Sequence, residues 1–261
     1  MTDVAADGLV LIQREAAVGL IVLNRPNKRN ALDLAMRAAI AGAVRALTAD
    51  EAIRVLIISG GAEVFAAGAD LNLLVDKDPQ GVADLDLSGY WAPLQHCPKP
   101  VIAAINGAAL GAGCELAMMC DILIVDRNAR LGQPEVRVGI MPGAGGTQRL
   151  VRAVGRPVAS LMLMSGEPLS GERAWQLGLA SELTEAGKAL DRARELAATI
   201  AQMPPKSLAA VKRVLLQGAD LPLDAALALE NREFLLLFGT QDKNEGMRAF
   251  LDKRSPQFTG R

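Results

Sequence analysis

The chain predicts an α/β domain in which the strands pair largely in parallel. Three observations carry that expectation. Short apolar runs of strand type alternate with segments of helical spacing in the first half. Turns rich in glycine or proline separate them, and the last third is patterned almost entirely as helix.

Residues 9–13 and 19–23 are apolar runs around a polar turn and read as a hairpin, which Asn24-Arg25-Pro26-Asn27 brings to an end. Leu32, Met36, Ile40, Val44 and Leu47 recur every three or four residues, so a helix is expected over 32–47. Residues 54–59 have the composition of a buried strand, closed by Gly60-Gly61. Phe65-Ala66-Ala67-Gly68-Ala69 leads into a turn of small side chains, and Asp70 suits the cap of a following helix. The polar segment 76–88, with four Asp and a Gly and few apolar anchors, is expected to be a mobile loop. Next come a strand at 101–105, a turn at Asn106-Gly107, a helix near 112–120 and a strand at 122–125. Beyond Thr147 helices are expected at 147–154, 157–164, 170–177 and 188–203. After the break at Pro204-Pro205 they resume at 206–217, 223–237 and 244–252.

Composition narrows the function. Apolar residues make up 51% of the 261 positions but aromatics only 3%, so the core is built from Ala, Val, Leu, Ile and Met. With 28 basic against 29 acidic residues, no field of one sign draws nucleic acid or an anionic membrane to the chain. Cys97, Cys114 and Cys120 are odd in number and lack metal-ligand spacing, which points to reduced, small apolar residues in a reducing compartment. His96 is the sole histidine, so zinc sites built on several histidines are excluded. No G-x-S-x-G elbow accompanies it, and a structural role in the loop before a strand is expected. The N-terminus lacks the layout of a signal peptide, and no apolar run reaches the roughly 18 residues of a spanning helix. A soluble cytoplasmic protein is expected.

The chemistry concentrates between Pro100 and Leu150. Glu115 and Glu135 stand among small or apolar residues beside glycine-containing turns, where a carboxylate costs free energy unless solvated, paired or used. Ala112, flanked by Gly111 and Gly113, opens a predicted helix whose first N–H groups lack intrahelical partners. Glu115 follows three residues on and shares that face. One rigid turn thus offers an anion-binding N–H and a carboxylate, although a dipole-complementing surface acid fits the same pattern. Pro134 would hold Glu135 on a stiff turn. Two carboxylates at one cleft suit general acid and base work, because unequal surroundings separate their pKa values. The run Ala66–Asp70 offers bare backbone to a ligand or simply packs tightly. Gly143-Ala144-Gly145-Gly146 reads either as a phosphate nest or as a turn capped by Thr147.

These residues fall into a known order. N-R-P at 24–26, N-A-L at 30–32, FAAGAD at 65–70, NGAALGAGCELAMMCD at 106–121, GQPEVRVGIMPGAGGTQRL at 132–150 and the tail AFLDKRSPQFTGR together resemble the enoyl-CoA hydratase (crotonase) family. The wording is most similar to bacterial enoyl-CoA and 2,3-dehydroadipyl-CoA hydratases, and the resemblance covers almost the whole chain. It implies a spiral of ββα units over 1–195, followed by a helical trimerisation region over 196–261, in a homotrimer or a homohexamer made of two trimers. It implies an oxyanion hole formed by the backbone N–H groups of Ala69 and Ala112, holding the thioester oxygen of an acyl-CoA. Glu115 would activate the water that attacks C3 and Glu135 would supply the proton to C2, both holding the same water. Ala67, Gly68, Asp70, Leu71, Asn72 and Gly111 would line the substrate. No metal or separate cofactor is implied, coenzyme A being part of the substrate. Two departures stand out: Ala112 where many members have Gly, and Asn72 where some carry Lys near the CoA phosphates. The basic candidates for those phosphates are Arg25, Lys28, Arg29, Lys253 and Arg254.

The activity expected is reversible hydration of a trans-2-enoyl-CoA, in fatty-acid or phenylacetate-type catabolism. An isomerase of the same superfamily is the near alternative, although such relatives commonly keep only one of the two glutamates. From a different class, a nucleotide-binding dehydrogenase would use the strand and helix at 101–120, with Asp126 on a ribose. However, Gly111-Ala112-Gly113-Cys114-Glu115-Leu116 lacks the third glycine of that fingerprint. An RNA-binding relative would use Arg37, Arg45 and Arg54, but Asp50 and Glu51 lie close by, and no nucleic-acid partner is expected.

Overall fold

A computed structural model of the chain describes residues 2–4, as backbone, and residues 8–261. It opens with antiparallel strands β1 (Thr2–Val4), β2 (Val10–Glu15) and β3 (Val18–Leu23), with Val10 opposite Leu23 and Glu15 opposite Val18. Asp33 starts helix α1 (Leu34–Ala49) by accepting the Met36 N–H at 2.8 Å, which satisfies one orphan donor of the first turn.

From there the chain winds as a spiral. β4 (Val55–Ser59), β6 (Val101–Ile105) and β8 (Ile122–Asp126) join the first hairpin in a seven-stranded sheet, ordered β1-β2-β3-β4-β6-β8 and ending in β11 (Glu182–Thr184). After each of these three central strands the chain steps to a second sheet. Its members are β5 (Val64–Ala66), β7 (Ala108–Leu110), β9 (Arg130–Gly132) and β10 (Leu169–Ser170), in the order β10-β9-β7-β5. Pairing from β3 through β8, and along β5-β7-β9, is parallel. The ββα spiral and the parallel pairing expected from the sequence are both present.

The large sheet is buried on both faces, which is why its central strands read as unbroken apolar runs. Leu56, Ile58, Ala103, Ile105, Leu123 and Val125 belong to a core shared with α1 and with α4 (Ala112–Met118). Their neighbours Val55, Ile57, Ile102, Ala104 and Ile124 point the other way, onto α7 (Ala189–Ile200). That helix meets the sheet through Ala189, Ala193 and Ala197, whose four-residue spacing and small side chains let it lie close. The expected division at 195/196 falls inside α7.

Several elements differ from expectation. Segment 76–88 contains a helix, α2 (Pro79–Ala83), because Asp78 accepts the Gly81 N–H at 2.7 Å and Pro79 is preset for a first turn. A second short helix, α3 (Ala92–Gln95), ends at His96, which is exposed, with Nδ1 2.9 Å from the Ala92 carbonyl. By contrast, the two helices expected at 147–154 and 157–164 are both present, joined in α5 (Gly146–Ser165) across a non-helical break at Gly155, where φ is 74°. The strands of the second sheet were invisible to periodicity, since none exceeds three residues. All three cysteines are free and buried.

The C-terminal part follows the expected helical pattern: α6 (Gly171–Gln176) precedes β11, and α8 (Pro205–Gly218), α9 (Leu223–Leu237) and α10 (Gln241–Leu251) follow α7. These last three helices leave Leu215, Leu216, Phe234, Leu235, Phe250 and Leu251 exposed. Among the described residues no helix is long and apolar enough to cross a membrane.

Candidate active site

The second sheet brings the predicted residues together. Its parallel strands end side by side: Ala66 of β5 is registered with Ala109 of β7, and Leu110 of β7 with Gly132 of β9. Ala69 lies three residues past Ala66, Ala112 three past Ala109 and Glu135 three past Gly132. All three therefore emerge at the carboxyl edge of one sheet, the usual place for a ligand in parallel α/β structures. The Gly111 N–H donates to Gly132 O at 2.8 Å and carries the β7–β9 ladder to the rim of the site.

Gly111 is the pivot. Its φ of 52° and ψ of −126° turn the chain abruptly from β7 into α4, a conformation that side chains resist. A Cβ there would stand 2.9 Å from Glu135 Oε1 and 3.8 Å from the Gly68 Cα, so the Glu135 carboxylate and the Ala67–Ala69 loop both converge on this residue. Its carbonyl accepts the Glu115 N–H at 2.9 Å. Neither Ala69 nor Ala112 donates its N–H to a partner among the described residues.

Glu115 is not the surface acid that its position near a helix start allowed; it is 2% exposed. Its Oε1 accepts the N–H groups of Ala144 and Gly146 at 2.7 and 2.8 Å. The glycine-rich loop 143–146 is thus a nest, and the anion it holds is the chain's own carboxylate. Helix α5 begins at Gly145 with no side-chain cap, so neither the phosphate reading nor the threonine cap describes this turn. Arg149 braces the loop from inside the helix by donating to the Ala144 carbonyl at 2.8 Å.

Glu135 opens a one-turn 3-10 segment behind Pro134 and is half-buried. Burial lifts its carboxyl to about 7, the charge of Glu115 adds to the rise, and a backbone hydrogen bond opposes it. Gln133 is fully buried, and with its amide nitrogen facing the carboxylate it donates to both Glu135 oxygens at 3.1 and 3.2 Å. Sequence reasoning gave Gln133 no role, although a polar residue amid Gly132, Pro134 and Glu135 was the available signal. Cys114, immediately before Glu115 in sequence, has its thiol pushed up to about 12, chiefly by burial, with both glutamate charges adding. It stays protonated, as expected of a small core residue.

The remaining predicted residues divide. Ala67 and Gly68 lie in the loop beside Gly111, where the Ala67 N–H donates to Arg29 O and Gly68 O accepts from Leu32. Asp70 is occupied within the protein: Oδ1 accepts both the backbone N–H and the side-chain amide of Asn72, and Oδ2 faces Arg25. Leu71 and Asn72 are exposed on the following turn. Of the basic candidates, Arg25 pairs with Asp33 and Asp70, and Arg254 with Glu245. Lys28 and Arg29 are exposed and form no ion pair among the described residues. Asp126 is buried and accepts the N–H groups of Gly107 and Gly187, which leaves it no ribose to hold. Arg37, first of the arginines considered for RNA, is buried, with its guanidinium 4.9 Å from the Trp91 ring centroid. Among the described residues no group of three or more His, Cys, Asp or Glu side chains is placed to hold a metal ion.

Residues 13–261 match the family model described as enoyl-CoA hydratase/isomerase. Over 252 residues, covering 97% of this chain and 99% of the relative, the sequence is 46% identical to the 2,3-dehydroadipyl-CoA hydratase of Escherichia coli strain K12. It is 36% identical over 252 residues, 95% of this chain and 97% of the relative, to the crotonyl-CoA hydratase of Syntrophomonas wolfei. Among solved structures, an enoyl-CoA hydratase chain from Geobacillus kaustophilus HTA426 superposes with a TM-score of 0.94 at 39% identity, over 97% of this chain and 98% of that one.

Proposed function

Given that the chain belongs to the enoyl-CoA hydratase/isomerase family, we propose that its reaction is the reversible addition of water to a trans-2-enoyl-CoA, giving the 3-hydroxyacyl-CoA. The observation that carries the mechanism is that the Glu135 carboxylate and the Ala67–Ala69 loop meet at Gly111, with the N–H groups of Ala69 and Ala112 unpartnered among the described residues and the Glu115 charge close enough to raise the Glu135 carboxyl. The thioester oxygen sits between the N–H groups of Ala69 and Ala112. As the water oxygen bonds to C3, the C2–C3 π electrons move toward the thioester and the oxygen becomes enolate-like. The two donors hold that charge, and losing one such donor typically costs about 10²–10³ in rate. Glu115, fixed through one oxygen by Ala144 and Gly146, presents the other to the water and accepts its proton. Glu135, its carboxyl raised to about 7, is protonated at neutral pH to a useful extent and delivers that proton to C2. Both carboxyl groups share one water, so the pair acts as a unit.

The acyl group follows from likeness. The relative named 2,3-dehydroadipyl-CoA hydratase supports a substrate of phenylacetate-type catabolism, and the one named crotonyl-CoA hydratase supports a short fatty-acyl chain. The exposed apolar faces of α8 to α10 support self-association, as a homotrimer or homohexamer. Loss of enoyl absorbance with crotonyl-CoA and 2,3-dehydroadipyl-CoA tests the reaction, using wild type, Glu115→Gln and Glu135→Gln. Each substitution should lower kcat by about 10²–10⁴. Conversion of a trans-3-enoyl-CoA to the 2-enoyl isomer, with no hydration of either ester, would replace the hydratase by an isomerase.

A further inference from the structure

We propose that Arg25 is a positioning residue for the backbone N–H of Ala69, an assignment that rests on the oxyanion-hole reading above. Ala69 is held from both sides by the segment 25–33. Ahead of it, the Ala67 N–H donates to Arg29 O at 3.0 Å and Gly68 O accepts the Leu32 N–H at 2.8 Å. Leu32 itself forms an isolated parallel bridge with Ala69. Behind it, Asp70 Oδ2 lies 3.4 Å from Arg25 Nη1. The same nitrogen donates to Ala31 O at 3.0 Å, and Nη2 pairs with Asp33 Oδ2 at 3.0 Å. One guanidinium therefore joins the cap of α1, the carbonyl just before Leu32 and the carboxylate just after Ala69.

Arg25 is anchored in turn. Its N–H donates to Asn30 Oδ1 at 2.9 Å, while Asn30 Nδ2 donates to the carbonyls of Gly60, Val64 and Phe65 at 3.0, 3.2 and 3.0 Å. Asn30 is 3% exposed, so these bonds are made in the interior. The strand leading to Ala69 and the loop leaving it are thus tied to one side-chain pair. An oxyanion donor works only when aimed at the place where charge develops, and rotation of the Gly68–Ala69 peptide would re-aim it. A planar fork suits the two carboxylates in a way that a point charge does not. The arrangement also argues against Arg25 as a ligand for a CoA phosphate, because a phosphate would have to displace Asp33 or Asp70 from the guanidinium.

Two readouts on wild type, Arg25→Met and Arg25→Lys test this: hydration kinetics with crotonyl-CoA and with crotonyl-pantetheine, and the infrared C=O stretch of bound cinnamoyl-CoA labelled with 13C at the thioester carbon. Wild type should lower that stretch relative to solution. Arg25→Met should reverse part of the lowering and cut kcat by about 10- to 100-fold, within the loss expected for a missing donor, with KM changed less than about threefold. Arg25→Lys should recover part of kcat. Asp70→Asn, which keeps an acceptor for Asn72, should shift the stretch the same way by a smaller amount and serves if Arg25→Met does not fold. A tenfold rise in KM for the CoA ester alone, with the stretch intact, would overturn the proposal and make Arg25 a phosphate ligand. Unchanged kinetics and stretch would also overturn it. No lowering in wild type would instead remove the oxyanion hole itself, and the proposal with it.

Discussion

The Gly146 N–H donates to Glu115 Oε1 at 2.8 Å, joining the first turn of α5 to the first turn of α4 across thirty-one residues of chain. The bond fixes a carboxylate with backbone, which has no rotamer to lose. It engages Glu115 through one oxygen, Oε1, which the Ala144 N–H shares.

Gly146→Ala tests that relationship. A Cβ at this position would stand 2.8 Å from the Pro142 Cβ and 2.9 Å from the Gln133 side-chain amide, so the turn must shift and the N–H with it. Stability should fall by about 1–3 kcal/mol, the usual range for overpacking. Hydration kcat should fall by about tenfold or more, as misplaced catalytic groups do. Urea melts and steady-state assays measure the two effects separately.

Gly111→Ala should be the more damaging change. It places a methyl 2.9 Å from Glu135 Oε1 and imposes a left-handed φ of 52° on a residue with a side chain. The strain is about 1–3 kcal/mol. Activity should drop by about 10² or more, because Ala112 and Glu135 are both displaced. A variant of near wild-type activity would mean that the two do not share one cleft.

The pH dependence of catalysis follows from the raised carboxyl of Glu135. In the proposed mechanism hydration needs one proton on the glutamate pair, and dehydration starts from the same total with the proton on the other partner. No proton is gained or lost overall, so kcat/KM in both directions should fall together as pH rises through about 7. Profiles measured from either substrate should show the same descending limb. A limb in one direction only would contradict the shared proton.

The same group affects stability. Its carboxyl is raised from 4.5 to about 7 in the fold, so the folded state prefers it neutral. That preference is fully present below about 4.5 and is lost as pH rises through about 7, where the buried group must ionise. Glu135→Gln removes the ionisation. Its melting temperature should therefore exceed that of wild type at pH 8 and converge with it near pH 4.5. A constant difference at all pH values would place the effect in packing rather than charge.

Ala193→Leu probes the far face of the large sheet. Ala193 is fully buried between α7 and the strands, so the larger side chain should cost about 1–3 kcal/mol while leaving KM for crotonyl-CoA unchanged.

Much of this was legible in the sequence, for definite reasons. The central strands are buried on both faces and read as apolar runs, and α1 declares itself through Met36, Ile40, Val44 and Leu47. Glu115 and Glu135 stood out because a carboxylate among small apolar residues is costly without a use. The strands of the second sheet escaped because two or three residues give no period. Asn30 escaped as a functional residue because its value lies in partners remote in sequence, such as Phe65.

The amino-acid sequence by itself determined the α/β alternation, the helical C-terminal third, the family and the two glutamates. Tertiary structure decided what those glutamates face. Only the register of β5, β7 and β9 brings Ala69, Ala112 and Glu135 to one edge, and only the fold of α5 against α4 fills the glycine nest with Glu115 instead of an outside anion. The physical reason is range: apolar periodicity and turn chemistry are local properties of the chain. Hydrogen bonds and burial depend on residues that meet only after the spiral has closed.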